Sequence, residues 1–200
     1  MDNIFEKTKQ ITSVLRNATI DFEKPFPYNP FIEQIAAIMG CNICLLNTKG
    51  TFLGYYYSDV NLSEEKRLKN FFTYQRFSEP ILKEALMIYE VEPNQTFEQS
   101  ILHPSLIMQK NFASTFVSAS PIYANDLRLG TIFALSGATL TFEQLALLEV
   151  FSTIVGIQLA SSMLERLEAE RRDATITSLL QSLSRSELET FRTIIEKIEL

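Results

Sequence analysis

Two predicted β-hairpins followed by a long helical pattern constrain this chain more than any other feature. The hairpins span Cys41–Tyr57, with a turn at Thr48-Lys49-Gly50, and Ser118–Ser136, with a turn at Asn125-Asp126. An uninterrupted helical pattern begins at Thr141. Short strands joined by glycine or asparagine turns favour antiparallel pairing. The combination suggests a module in which a sheet holds a small molecule and a helix reports its presence.

Composition and charge exclude several classes of protein. The 200 residues, 46% of them apolar, can bury a core and suit one domain with an appendage. A net charge of −6 argues against direct binding of nucleic acid, which needs a basic face. The polar start of the chain lacks the pattern of a secretory signal, and Glu149, Ser152 and Gln158 interrupt the apolar stretch Leu145–Leu164. We therefore expect a soluble, cytoplasmic protein without a membrane span, in which this stretch is a buried core helix.

Residues that carry out chemistry are scarce. The chain has one histidine, His103, and two cysteines, Cys41 and Cys44, in a Cys-x-x-Cys pair. The pair falls in a strand-like run, where positions three apart face opposite sides, so a redox pair is not expected. Tetrahedral zinc needs four ligands, and too few histidines and cysteines are present. We predict two buried, inert thiols, no metal, no cofactor and no enzymatic activity.

Shorter helices are predicted ahead of the two hairpins. Asn3–Ala18 carries an apolar stripe at helical spacing, and Phe31–Met39 is a short helix that a glycine ends. Ser63 and Ser78 are candidate N-caps of two further helices. The polar stretch 90–100 predicts a loop or a sheet edge.

Two capping boxes mark helix starts in the C-terminal part of the chain. Thr141 with Gln144, and Ser184 with Glu187, have the spacing that satisfies free N–H groups in the first turn. Past Gly156 the predicted helix is apolar on one side and charged on the other. Such a helix cannot be fully buried, so we expect it to project and pair with a second copy. A solitary solvated helix is the alternative.

A homodimer is predicted from apolar helix surface. The N-terminal helix and the long helix offer more of this surface than one domain is expected to cover. The positions concerned are Ile4, Ile11, Leu15, Leu159, Met163 and Leu167.

Six short stretches together resemble one family of bacterial regulators. They occur in that family's order and extend over nearly the whole chain. The stretches are Lys7-Thr8-Lys9-Gln10-Ile11, Leu53-Gly54-Tyr55, Pro121-Ile122, Arg128-Leu129-Gly130-Thr131, Val155-Gly156-Ile157 and Ser182-Leu183-Ser184-Arg185-Ser186-Glu187-Leu188. The family that they resemble is CodY, the nutrient-responsive transcriptional repressor of low-GC Gram-positive bacteria.

The resemblance implies a fold, a domain organisation and effectors. Residues 1–160 would form a GAF-like effector-binding domain of the α+β class, with an antiparallel sheet flanked by helices, and residues 161–183 a long linker helix. Residues 184–200 resemble the first helix of a winged-helix domain whose remainder is missing from this chain, so DNA would be bound only through that domain. The family's effectors are branched-chain amino acids such as isoleucine, and GTP. Because the sequence has no GxxxxGK[ST] motif, we assign no GTP site.

The resemblance also assigns a ligand site. A branched-chain amino acid needs a cation or donors for its carboxylate, acceptors for its ammonium and an apolar cup for its side chain. Arg67 matches the family's carboxylate-binding arginine, and His103-Pro104-Ser105 matches a segment whose backbone helps to hold the amino acid. Apolar side chains would form the cup. The predicted ligand-binding residues are Arg67, Leu68, Phe71, Phe77, Ile81, His103 and Ser105.

Simpler interpretations of the same residues stay open. By itself Arg67 is an ordinary surface arginine that can pair with Glu64, the phenylalanines are ordinary core, and His103 fits a pocket rim or the surface. The family's triple glycine is replaced by Ala124-Asn125-Asp126-Leu127, a change that touches the effector region. Two hypotheses follow. The chain is a branched-chain amino acid sensor, or it is a ligand-free GAF-type scaffold for dimerisation.

Overall fold

Helices and strands are defined in the part of the chain that the computed structural model describes, which is residues 4–17, 28–58, 69–73 and 76–198. The chain divides into two units, Met1–Ala160 and Ser161–Leu200. The helices are α1 (Ile4–Asn17), α2 (Tyr28–Met39), α3 (Glu79–Leu86), α4 (Leu106–Phe112), α5 (Phe142–Ser182) and α6 (Arg185–Ile198). The strands are β1 (Asn42–Asn47), β2 (Phe52–Tyr56), β3 (Glu92–Thr96), β4 (Phe116–Ala124) and β5 (Leu127–Ser136). Residues 69–73 are also helical, and Phe97–Gln99 forms a 3-10 turn.

The strands form one antiparallel sheet in the order β2-β1-β5-β4-β3. Both predicted hairpins are confirmed, as β1–β2 and β4–β5. Asn125 and Asp126 have φ angles of 49° and 63°, the left-handed conformation that a two-residue hairpin turn of this kind requires. Pairing therefore runs to Ala124 and Leu127 on either side of the turn, and β4 begins two residues before the predicted start of the hairpin at Ser118. The predicted fold class, an α+β domain with helices flanking an antiparallel sheet, is confirmed.

The polar stretch before the second hairpin is the edge strand β3, one of the two predicted alternatives. Its Asn94 has a φ angle of 50° and lies at an irregularity in the pairing with β4. The Asn94 side chain accepts a hydrogen bond from the Leu140 N–H over 2.7 Å and donates one to the Leu140 carbonyl over 3.0 Å. One asparagine thus ties the sheet edge to the short segment that leads into α5.

Side chains alternate between the two faces of the sheet and build two separate cores. The cross-strand pair Ile43–Ala134 faces one side, and the next pair, Cys44–Phe133, faces the other. Helices α1, α2 and α5 cover the first side. This helix-face cluster includes Ile11, Phe31, Ile32, Ile35, Leu147, Leu148, Phe151 and Val155. The second side holds the aromatic cluster, which includes Phe52, Phe71, Phe72, Phe77, Ile81, Ala85, Phe97, Phe112 and Phe133.

The helix-face cluster corrects one sequence prediction. Ile11, assigned to a dimer surface, is 0% exposed because α1 buries it within its own subunit. Leu159 is also partly buried against this cluster. The side chains of Ile4 and Leu15 lie outside the described residues. Periodicity correctly identified an apolar face on α1, but it could not distinguish a face that packs on α2 from one that packs on a second copy.

Helix α5 contains a stretch long and apolar enough to cross a membrane, and 33% of that stretch is buried inside the protein. The buried side chains Leu147, Leu148, Phe151 and Val155 all belong to the helix-face cluster. The buried side chains of α5 agree with the core helix predicted for this segment, while Ile157, Met163 and Leu164 are exposed.

Both predicted capping boxes are present. The Thr141 N–H donates to Gln144 Oε1 over 2.9 Å, and the Ser184 N–H donates to Glu187 Oε2 over 2.8 Å. Hydrogen bonds from the Ser184 side chain and backbone lower the pKa of Glu187. Helix starts were therefore predictable from local sequence, because a capping box needs only residues that are close in the chain.

A close approach between α5 and β4 explains the glycine at position 156. A Cβ atom placed on Gly156 would collide with the carbonyl oxygen of Tyr123. Only a residue without a side chain lets the helix lie this near to the strand. The glycine at position 156 therefore allows the short distance between α5 and β4.

Replacing Gly156 with Ala should lower the free energy of unfolding by about 1–3 kcal/mol, because the added methyl group forces helix and strand apart. Urea unfolding measures this change. The matched control is Gly137→Ala, since a Cβ there meets nothing within 4 Å. The control should change stability by less than about 0.5 kcal/mol. Equal losses in the two variants would contradict the close approach.

Candidate functional site

Three predicted site residues come together in the aromatic cluster. Phe71, Phe77 and Ile81 are 8%, 7% and 9% exposed and share one apolar environment. Phe52 of β2 packs among them, with its ring centroid 5.5 Å from that of Phe71 and 5.1 Å from that of Phe77. Tilted and edge-on ring contacts of this kind stabilise aromatic clusters beyond the burial of their area. The wall that these side chains make is almost entirely apolar.

Arg67 and Leu68, with the predicted cap Ser63, lie outside the described residues. The structure describes the helix from residue 69, and there Lys69 and Asn70 are exposed while Phe71 is buried. This helix therefore directs Phe71 to the aromatic cluster.

Helix α3 brings Ile81 into the cluster. Ser78 occupies its N-cap position, as predicted, but the serine side chain makes no capping hydrogen bond. Pro80 lies in the first turn and has no N–H, so one of the usual partners of a cap is missing. Ile81 and Ala85, one turn apart, are the buried residues of this helix.

The segment from His103 to Ser105 offers acceptors rather than donors. The His103 N–H donates to the Ser100 carbonyl and the Ser105 N–H donates to the Leu102 carbonyl, each over 3.1 Å. Pro104 has no N–H to give. The His103 and Ser105 carbonyls already accept one hydrogen bond each from Gln109, so an ammonium has only their second lone pairs or the Pro104 carbonyl to meet, and a carboxylate has to be bound elsewhere.

The side chains of this segment have different surroundings. His103 is exposed, and its ring centroid lies 6.2 Å from that of Phe97, a member of the aromatic cluster. Ser105 caps α4, where its hydroxyl accepts a long hydrogen bond of 3.4 Å from the Met108 N–H. His103 thus lies at the border of the cluster, and the Ser105 side chain has a local structural role.

The two cysteines do not form a reactive pair. Cys41 belongs to the helix-face cluster and Cys44 to the aromatic cluster, on opposite faces of the sheet. Burial raises the pKa of both thiols to about 12. Since the thiolate is the reactive form, these groups are inert near neutral pH. Within the described residues there is also no group of three or more His, Cys, Asp or Glu side chains that could hold a metal ion.

Arg128 ties β5 to α3, a role that the sequence did not reveal. One of its terminal nitrogens donates to the Gly130 carbonyl, and the other donates to the Ala85 carbonyl over 2.9 Å and to the Thr131 hydroxyl over 2.8 Å. The Thr131 hydroxyl donates in turn to the Ala85 carbonyl over 3.0 Å. Ala85 is in the last turn of α3, where carbonyl groups lack helical partners and a positive charge is favourable. Burial lowers the pKa of Arg128, while Tyr123 opposes that shift.

Arg128 is therefore a positioning residue for the aromatic cluster. It holds the helix that carries Ile81, although it contacts none of the predicted ligand-binding residues in the interactions described above. The available signal was a polar Arg128 and Thr131 in an otherwise apolar strand. A buried strand tolerates such residues only when they have hydrogen-bond partners, and the sequence did not show that those partners are on α3.

Comparisons with known proteins agree with this geometry. The sequence profile of the CodY GAF-like domain matches residues 3–182. Among solved structures, the cofactor-binding GAF domain of the nutrient sensor CodY from Clostridium difficile is 20% identical, with a TM-score of 0.53, covering 80% of this chain and 99% of that chain. The phycoerythrobilin-bound GAF domain of a cyanobacterial phytochrome is 14% identical, also with a TM-score of 0.53, covering 83% of this chain and 99% of that chain.

The structural similarity establishes the GAF fold, and the profile match establishes the family. The residues that the profile matches run from the start of α1 to the end of α5, so they include both clusters and the sheet between them. The chain therefore belongs to the CodY GAF-like domain family and is a ligand-binding regulatory domain of that family.

Proposed function

We propose that this chain is the sensing part of a nutrient-responsive, cytoplasmic transcriptional repressor and that it binds a branched-chain amino acid, such as isoleucine, at the aromatic cluster. The observation that carries the proposal is the convergence of Phe71, Phe77 and Ile81 on one face of the sheet, in a chain of the CodY family. Phe71 lies in the helix at residues 69–73, Phe77 lies just before α3 and Ile81 lies in α3, so three successive segments of the chain supply these side chains. Their convergence is what a cup for an aliphatic side chain needs.

Each part of the amino acid has a proposed partner. Phe71, Phe77 and Ile81, with Leu68, contact the aliphatic side chain. Arg67 binds the carboxylate, because a guanidinium forms two parallel hydrogen bonds with it. Carbonyl oxygens of residues 103–105 accept from the ammonium, since the N–H groups of His103 and Ser105 are already used within the protein.

The proposed signal passes through α5. This helix contributes Phe151 and Val155 to the core and continues to Ser182. We propose residues 161–183 as the linker helix and residues 184–200 as the first helix of a DNA-binding domain. The amino acid acts by binding one conformation of the sensor more tightly than another, and its effect is limited by that difference in affinity.

Isothermal titration distinguishes this function from the alternative, a ligand-free scaffold. Isoleucine, leucine and valine should each release heat with one site per subunit, and glutamate should not, because a carboxylate cannot be buried in an apolar cup without a partner. Absence of heat with all three aliphatic amino acids would favour the scaffold.

The variant Arg67→Ala tests the carboxylate partner. Its affinity for isoleucine should fall by at least about tenfold, because a charge-assisted hydrogen bond is lost and the carboxylate stays desolvated. The matched control is Arg76→Ala, which removes an exposed arginine outside the proposed site. Unchanged affinity in Arg67→Ala, or the same loss in both variants, would refute the assignment.

We also propose a homodimer that uses the exposed apolar side chains of the unit Ser161–Leu200. Met163, Leu164 and Leu167 are 48%, 58% and 51% exposed, too much apolar surface for a helix that stays in water. Pairing with a second copy would cover them.

Light scattering should give the mass of a dimer for the unaltered chain. Leu167→Glu should shift it towards monomer, because a charge would have to be buried in the helix pair. Ala169→Glu, at another exposed position of the same helix, is the control and should stay dimeric. A monomeric unaltered chain at high micromolar concentration would contradict the proposal.

A further inference from the structure

A polar cavity of about 460 Å³ lies between β4, α5 and the chain that leads into β3, apart from the aromatic cluster. Strand β3 first pairs with β4 at Glu92 and Ala119, so it does not cover β4 beyond that point. The cavity is beside this uncovered part of the strand. Its lining includes Tyr89, Glu90, Ser120, Tyr123, Glu149 and Ser152.

Two buried hydroxyl groups give the cavity a wall that accepts hydrogen bonds. Ser120 and Ser152 are 0% and 3% exposed. The Ser120 hydroxyl donates to Ser152 Oγ over 2.9 Å, and the Ser152 hydroxyl donates to the Glu149 carbonyl over 2.8 Å. Both hydroxyl protons are therefore used within the protein. The Ser120 oxygen can therefore offer a ligand only its lone pairs, which accept a hydrogen bond from a donor group.

Two carboxylates and an exposed aromatic ring complete the cavity. Glu90 and Glu149 are exposed, and in the described part of the chain neither forms an ion pair with a lysine or arginine. Tyr89 is 71% exposed, an unusual state for a large aromatic side chain. Carboxylates beside an aromatic face are a combination that attracts organic cations.

Arg128 lies near this cavity but forms no ion pair with its carboxylates. Arg128 lies 5.2 Å from the centroid of the Tyr123 ring, but its terminal nitrogens donate to Gly130, Ala85 and Thr131. It is not among the residues that line the cavity. Arg128 interacts with the lining residues Tyr123 and Tyr89, but within the described residues neither Glu90 nor Glu149 forms an ion pair.

We propose that this cavity binds a small aliphatic amine of the polyamine class. The ammonium groups bind to the carboxylates of Glu90 and Glu149 and donate to the Ser120 hydroxyl. A charged amine group lies over the ring of Tyr89, with the adjoining methylene groups packed beside it. The site is separate from the proposed amino acid site, because Ser120 is paired with Ile132 on the α5 side of the sheet.

Isothermal titration with spermidine at low ionic strength tests the proposal. Glu149→Gln and Glu90→Gln should each weaken binding by about tenfold, the size expected for the loss of one charge-assisted hydrogen bond. Glu143→Gln removes an equal charge from the first turn of the same helix, where it does not line the cavity, and should leave the affinity unchanged. Tyr89→Leu, which keeps both carboxylates, should weaken binding about threefold through loss of the cation–π contact.

The outcomes separate this site from the proposed amino acid site. Titration with isoleucine should release the same heat from Glu149→Gln as from the unaltered chain, even where the variant binds spermidine more weakly. Unchanged thermal unfolding midpoints show that these surface variants are folded. The proposal is overturned if spermidine releases no heat, if the dianion glutarate binds equally well, or if Glu143→Gln weakens binding as much as Glu149→Gln. The last result would mean general attraction to an acidic protein.

Discussion

Strand β5 is buried on both faces, and both clusters depend on it. Each residue from Leu129 to Leu135 is buried, with Ile132 and Ala134 on the helix face and Phe133 and Leu135 in the aromatic cluster. The strand pairs with β1 on one side and β4 on the other. Burial of a side chain such as Phe133 contributes about 1.5–3 kcal/mol relative to exposure. Because its side chains alternate, a shift of register by one residue would exchange every contact between the two clusters.

The division into two faces also divides the proposed functions. The aromatic cluster is apolar and is the proposed place for a hydrocarbon side chain, while the cavity beside α5 is lined by hydroxyl and carboxylate groups. Arg128 contacts one residue of the aromatic cluster and one residue that lines the polar cavity. It donates to the Ala85 carbonyl at the end of α3 and packs on the ring of Tyr123, which lines the polar cavity. One guanidinium thus contacts a residue of each region without belonging to either proposed site, and it is held in place by two backbone carbonyls and the Thr131 hydroxyl.

Local sequence predicted much of the fold. The turn at Asn125-Asp126 and the two capping boxes depend on residues close in the chain, and the structure contains all of them. Ile11 shows where such reasoning ends. Its periodicity indicated an apolar helix face, but α1 packs on its own subunit and buries that face. For the candidate site, the sequence and its family resemblance selected Phe71, Phe77 and Ile81, whereas the clamp by Arg128 and the serine pair joining β4 to α5 were not predicted.

The amino-acid sequence by itself determined the hairpins, the helix starts and the inert character of the cysteines, because alternation, turn chemistry and strand position are properties of short segments. Only the tertiary structure decided that Arg128 reaches Ala85, that Ser120 meets Ser152, and that Gly156 passes close to Tyr123. These contacts join residues 32 to 43 positions apart, judged by their numbers in the sequence. Their partners are chosen by the packing of helices on the sheet, and no local pattern encodes which partner that packing will supply.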